Sequence, residues 1–139
     1  MAAVSRTVVT LRFFGNDLLP HEITSLLGRA PSKSETKGDE WQRPNGTTRV
    51  ANRGSWRLRA ADREPGDLDA QIAELFSELS DDLTVWADLT TRFRGDVFCG
   101  LFLEEGNEGI SLAPKTLALL GARNLELDLD IYSGHYDED

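Results

Sequence analysis

The sequence predicts an α+β fold: a mixed, mostly antiparallel sheet of about five strands with helices packed on one face. Two observations carry this expectation. Stretches of period-two alternation, TVVTLRFF and LELDLDIY above all, stand beside stretches with apolar residues at i, i+3, i+4 spacing, as in Leu68 to Leu79. Proline opens and glycine closes helix-like stretches in two places, which suggests two pseudo-repeated strand–helix–strand units. A chain of 139 residues forms one domain, 1–139, long enough to bury a core without a disulfide or a metal.

Thr7 to Phe14 reads as a strand, with Val9, Leu11 and Phe13 on one face. Gly15-Asn16-Asp17 ends it, and Pro20 suits the first turn of a helix. Ile23, Leu26 and Leu27 form that helix's apolar stripe, and Gly28 is placed to stop it. Ser32 to Trp41 and Thr47 to Ala61 read as a hairpin turned by Pro44-Asn45-Gly46. In its second arm Trp56, Leu58 and Ala60 point one way, Arg57 and Arg59 the other. Asp67 caps a helix over Leu68 to Leu79, and Asp81 or Asp82 caps a shorter one through Trp86 and Leu89. VFCGLFL, Val97 to Leu103, is apolar on both faces and so central. Gly106 to Gly109 form a loop, Ser111 caps a helix to Leu120, and Gly121 stops it. In the last strand Leu125, Leu127, Leu129 and Ile131 face a core, and Glu126, Asp128 and Asp130 face out. The tail HYDED is expected to fray.

The repeat rests on matched punctuation. The first unit runs from the Gly15-Asn16 loop to Pro20, Ile23, Leu26, Leu27 and Gly28. The later unit runs from the Gly106-Asn107 loop to Pro114, Leu117, Leu119, Leu120 and Gly121.

FFGNDLLPHEITSLLGRAP, then Lys37-Gly38, Gly54-Ser55-Trp56 and a terminal LALLGARNLELDLDIY, together resemble the bacterial domain of unknown function 4279. The resemblance spans Val8 to Tyr132 and is most specific at its two ends. That family often has a polar residue before the helix proline. Leu19 stands there in this chain, which leaves capping to Asp17 or Asn16. The resemblance implies a small cytoplasmic bacterial α+β protein and carries no activity or catalytic residues.

The net charge is −9, unevenly spread. Residues 29–63 hold nine of the 15 basic residues and four of the 24 acids, a balance of +5, so the remainder carries −14. An acidic whole argues against nucleic-acid binding and suits a basic protein partner. No apolar run spans a bilayer, so no membrane association is expected. A single cysteine, Cys99, and no signal-like apolar core fit a cytoplasmic location.

Several near-motifs have structural explanations. His21-Glu22 begins a zinc-binding His-Glu-x-x-His pattern, but Ser25 occupies the fifth position and only His135 remains as a further imidazole. A helix start explains the stretch. Gly109-Ile110-Ser111-Leu112-Ala113 lacks the second glycine of a nucleophile elbow, although Ser111, Asp128 or Asp130, and His135 follow a hydrolase order. Glu126, Asp128 and Asp130 form a carboxylate row for a basic partner or a cation, or for pairing with a strand such as that of Arg57 and Arg59. Cys99 is a small hydrophobe. Trp56 and Trp86 are core residues, while Trp41, beside Arg43, Arg49 and Arg53, is a candidate interface anchor. Phosphate-binding glycine motifs are absent, so no cofactor or metal is expected.

The leading expectation is a non-enzymatic protein-binding module of immunity or antitoxin type. Its candidate partner-binding residues are Trp41, Arg43, Arg49, Arg53, Glu126, Asp128 and Asp130, and the chain is monomeric or dimeric through a sheet edge. The alternative is a small-ligand sensor with a pocket between sheet and helices. An enzyme is disfavoured because no nucleophile–base pair assembles.

Overall fold

The computed structural model describes residues 2–133; the tail and His135 lie outside the described residues. Among the described residues the chain order is β1 (Ala2–Ala3), β2 (Arg6–Gly15), α1 (Pro20–Leu27), β3 (Lys33–Glu35), β4 (Glu40–Gln42), β5 (Thr48–Val50) and β6 (Gly54–Arg59). It continues with α2 (Leu68–Ser77), α3 (Leu83–Arg92), β7 (Arg94–Phe102), β8 (Glu108–Gly109), α4 (Pro114–Ala122) and β9 (Glu126–Tyr132). No helix among the described residues is long and apolar enough to cross a membrane.

The main sheet has the order β3-β6-β2-β7-β9. Only the β7–β9 pair is parallel, joined through α4; the others are antiparallel. This is the expected α+β sheet. Both strand–helix–strand units are present, but they close differently. β9 lies beside β7, whereas β3 stands one strand away from β2, with β6 between them.

One face of the sheet carries the core. Val9, Leu11 and Phe13 of β2, Trp56 and Leu58 of β6, and Val97, Cys99 and Leu101 of β7 pack with residues of all four helices. Trp56 and Trp86 flank Phe13, each with its ring centroid 6.2 Å away. The indole of Trp56 donates to Thr24 Oγ1 and that of Trp86 to the Ser80 carbonyl, so neither buried N–H is orphaned. Gln71 of α2 donates to the carbonyls of Thr7 and Ala61, tying that helix to the central strand. The thiol of Cys99 is pushed up to about 12, first by burial and then by the charges of Asp96 and Asp128. It behaves as the hydrophobe expected.

Asp67 and Asp82 cap α2 and α3 as their spacing predicts, accepting from the amides of Ala70 and Thr84. The other two helix starts differ from expectation. The residue before α1 is Leu19, with no side-chain cap, so neither Asn16 nor Asp17 serves. Ser111 does not cap α4 either. Asp69 of α2 accepts from the Ala113 amide and the Thr116 hydroxyl at that helix's start, a tertiary cap that local spacing cannot reveal. At the helix ends Gly28 takes a left-handed φ of 84° as predicted. Gly121 stays inside α4, and Asn124 makes the left-handed turn with φ 57°.

The long hairpin is interrupted. β3 pairs with β6 and β4 with β5, and the two pieces share one register frame, as in Lys33↔Arg57 and Trp41↔Arg49. The Pro44-Asn45-Gly46 turn is where predicted, with Asn45 Oδ1 accepting from the Thr47 amide. β9 departs most from expectation. Leu125 is buried, but Leu129 is 43% and Ile131 60% exposed, because β9 is an edge strand that the helix layer does not fully cover.

Candidate functional site

Among the described residues no helix packs on the second face of the sheet, and the residues of that face follow from the register. Arg6, Val8, Thr10, Arg12 and Phe14 of β2 share it with Ser55, Arg57 and Arg59 of β6 and with Lys33 and Glu35 of β3. On the other side of β2 the same face carries Asp96, Phe98 and Phe102 of β7, then Glu126, Asp128, Asp130 and Tyr132 of β9. One cross-strand row reads Lys33, Arg57, Arg12, Asp96, Glu126. The face is therefore basic on its β3–β6–β2 side and acidic on its β7–β9 side.

Arg12 is the seam. It donates from Nε and a terminal nitrogen to both oxygens of Asp96, at 2.8 and 2.7 Å, and reaches Asp128 at 3.4 Å. Asp96 is fully buried, and its hydrogen bond raises the Arg12 pKa above its ordinary value. Arg57 and Arg59 do not pair with the carboxylate row of β9, because β2 and β7 lie between. The charge asymmetry along the chain thus becomes an asymmetry across one sheet face, bridged at its middle by Arg12 and offset locally by Arg49–Glu35 and Arg94–Glu126.

Aromatic rings on this face are covered by guanidinium groups. Arg53 sits 4.2 Å from the Phe14 centroid, Arg12 at 5.1 Å and Arg57 at 5.4 Å. Arg12 also covers Phe98 at 4.3 Å, and Arg6 covers Phe102 at 4.7 Å. Each guanidinium lies within cation–π distance of a ring, and its N–H groups can also serve other partners, as Arg12 serves Asp96 and Arg6 serves Asp62.

At the basic end the interrupted hairpin curls beside the sheet and forms a cavity of about 580 Å³. Its lining is Asn16, Glu35, Arg49, Asn52, Arg53, Ser55 and Arg57. Arg49 meets Glu35 at 3.6 Å. Arg53 and Arg57 have no carboxylate within salt-bridge distance among the described residues. Ser55 is only 4% exposed, and its Oγ has no hydrogen-bond partner among the described residues. That Oγ is itself shut off from solvent, so the donors left to face a ligand are the guanidiniums and side-chain amides. Three guanidiniums and two side-chain amides against a single carboxylate suit an anion with several oxygens.

The expected site residues divide into groups. Arg49 and Arg53 come together in the cavity. Trp41 lies beneath Arg49, whose guanidinium is 4.4 Å from its ring, so it braces the cavity rather than standing free. Arg43 is at the hairpin turn, outside the lining. Glu126, Asp128 and Asp130 sit on β9, at the other edge of the sheet. Asn16, Asn52, Ser55 and Arg57 were not among the expected binding residues. The signal for two of them was present: with Trp56, Leu58 and Ala60 facing inward, Arg53, Ser55 and Arg57 share the outward parity of one extended arm. His21 is exposed on α1, and Glu22 beside it accepts from Arg92, which holds its carboxyl below the ordinary range. That pairing gives the His21-Glu22 stretch its structural role.

The model of the family described as a domain of unknown function (DUF4279) matches residues 5–134. The chain belongs to that family. No curated protein and no solved structure matches it. The cavity and the split charge of the open face are thus properties read from this DUF4279 chain itself.

Proposed function

We propose that this DUF4279 domain is a non-enzymatic binding domain that receives a small anion in the arginine cavity. The observation that carries the reading is the convergence of Arg49, Arg53 and Arg57 on one cavity, with Arg53 and Arg57 unpaired by any carboxylate among the described residues. Stacking on Phe14 supports it further, because two of the three guanidiniums are held before a ligand arrives, which lowers the entropic cost of binding. The ligand class is an oxyanion, a phosphate or a carboxylate, that accepts from forked guanidiniums and side-chain amides. This is the sensor reading with its pocket moved: the cavity lies on the open face beside the hairpin, not between sheet and helices.

Calorimetric titration with inorganic phosphate and with citrate, at constant ionic strength, tests it. Saturable one-site binding to at least one probe is expected. Arg53→Gln with Arg57→Gln should weaken it by about a hundredfold, from two lost charge-assisted contacts. The reading fails if neither probe saturates, or if the double variant binds as the parent does.

A further inference from the structure

The acidic edge of the sheet offers a second, independent surface. β9 hydrogen-bonds to β7 on one side and has no strand on the other among the described residues. It presents seven residues of free backbone edge, ELDLDIY, without proline or glycine. Such an edge is a template for an added strand unless something blocks it.

Its two faces differ sharply. Leu129 and Ile131 are exposed on the helix side, beyond the reach of the helix layer. Glu126, Asp128 and Asp130 lie on the open side, with Tyr132 stacked on Phe102 at 4.6 Å. Internal pairing is incomplete among the described residues: Arg94 meets Glu126 at 3.6 Å, Arg12 meets Asp128 at 3.4 Å, and Asp130 accepts from the Tyr132 hydroxyl alone.

These carboxylates decide the occupant. A second copy that extends the sheet about a two-fold axis, keeping both helix layers on one side, must set even-numbered residues opposite even-numbered ones. Every such register that joins more than three residues of β9 then places a carboxylate directly opposite another. Opposed like charges destabilise a strand pair. A strand with cations at alternate positions meets the opposite situation. Its Lys or Arg residues face Glu126, Asp128 and Asp130, and its apolar residues cover Leu129 and Ile131.

We infer that the free edge of β9 docks an extended segment of another protein in which apolar and basic residues alternate, by strand addition to the main sheet. The net charge of −9 adds long-range attraction for such a segment. This does not depend on the arginine cavity, which lies at the other side of the sheet.

The test uses two synthetic heptapeptides of identical composition: one alternates lysine and valine, and the other groups its lysines at one end. Fluorescence anisotropy and amide hydrogen exchange are read on the full chain. The alternating peptide is expected to bind about tenfold more tightly, since charge is matched and only strand complementarity differs. Its binding should slow exchange in β9 and weaken as salt rises from about 50 to about 500 mM. Asp130→Lys is expected to remove that preference, and the wild-type comparison stands even if this variant folds poorly. Equal binding of the two peptides, protection outside β9, or a free protein that sediments as a dimer with β9 already protected would each overturn the inference.

Discussion

The two faces of the main sheet solve the same problem by different means. On one, Val9, Leu11, Phe13, Trp56 and Leu58 are sealed by helices. On the other, Phe14, Phe98 and Phe102 are covered by the guanidiniums of Arg53, Arg57, Arg12 and Arg6. Helix cover removes apolar surface from water and leaves nothing available. Arginine cover shields a ring while keeping hydrogen-bond donors at the surface. The closed face therefore holds the stability, and the open face holds donors that a ligand or partner can use.

Substitutions should separate these roles. The largest effect is expected on the closed face: Trp86→Ala should lower unfolding stability by about 3–5 kcal/mol in urea denaturation, as the ring is fully buried against Phe13 and Phe76. A loss below about 1 kcal/mol would show that the helix layer is loosely packed there. At the seam, Asp96→Ala leaves the Arg12 fork without its buried partner and should cost about 2 kcal/mol. Adding Arg12→Met should recover part of that loss, because the stranded charge goes with it. On the open face, Arg57→Gln should change stability by about 1 kcal/mol or less, the scale of one exposed cation–π contact. A larger loss would mean that the arginine layer is structural.

The smallest effect concerns acid. Asp62 accepts from Arg6 and from Arg59, and these bonds, Arg6 first, hold its carboxyl below the ordinary range. A carboxyl lowered on folding adds stability above its unfolded pKa of about 3.9, and that stability is lost as the pH falls through the lower folded value. Asp62→Asn should therefore be slightly less stable than the parent near about pH 6, with the gap closing towards about pH 2 in thermal melts. A gap unchanged across that range would contradict the pairing.

Much of the closed face was legible in the sequence. Period-two alternation identified the inward residues of β2 and β6, and side-chain caps at Asp67 and Asp82 marked two helix starts. What was not legible came from contacts distant along the chain. The start of α4 is capped by Asp69, 44 residues before Ala113, so Ser111 took a role by default. The alternation of β9 is the same at a buried or an edge position, so alternation alone assigns Leu129 and Ile131 to the core. The arginine cavity was half visible: Arg49 and Arg53 stood out as charges, but Asn16, at the end of β2, joins them only through the fold.

The most direct test of the claim that the open face is a ligand-ready surface is a side-chain measurement. Arginine Nε–H signals can be followed by nuclear magnetic resonance as citrate or phosphate is added at fixed ionic strength. The account predicts saturating shifts confined to Arg49, Arg53 and Arg57, with Arg29 and Arg63 unmoved. Shifts spread evenly over all arginines, or none that saturate, would contradict it.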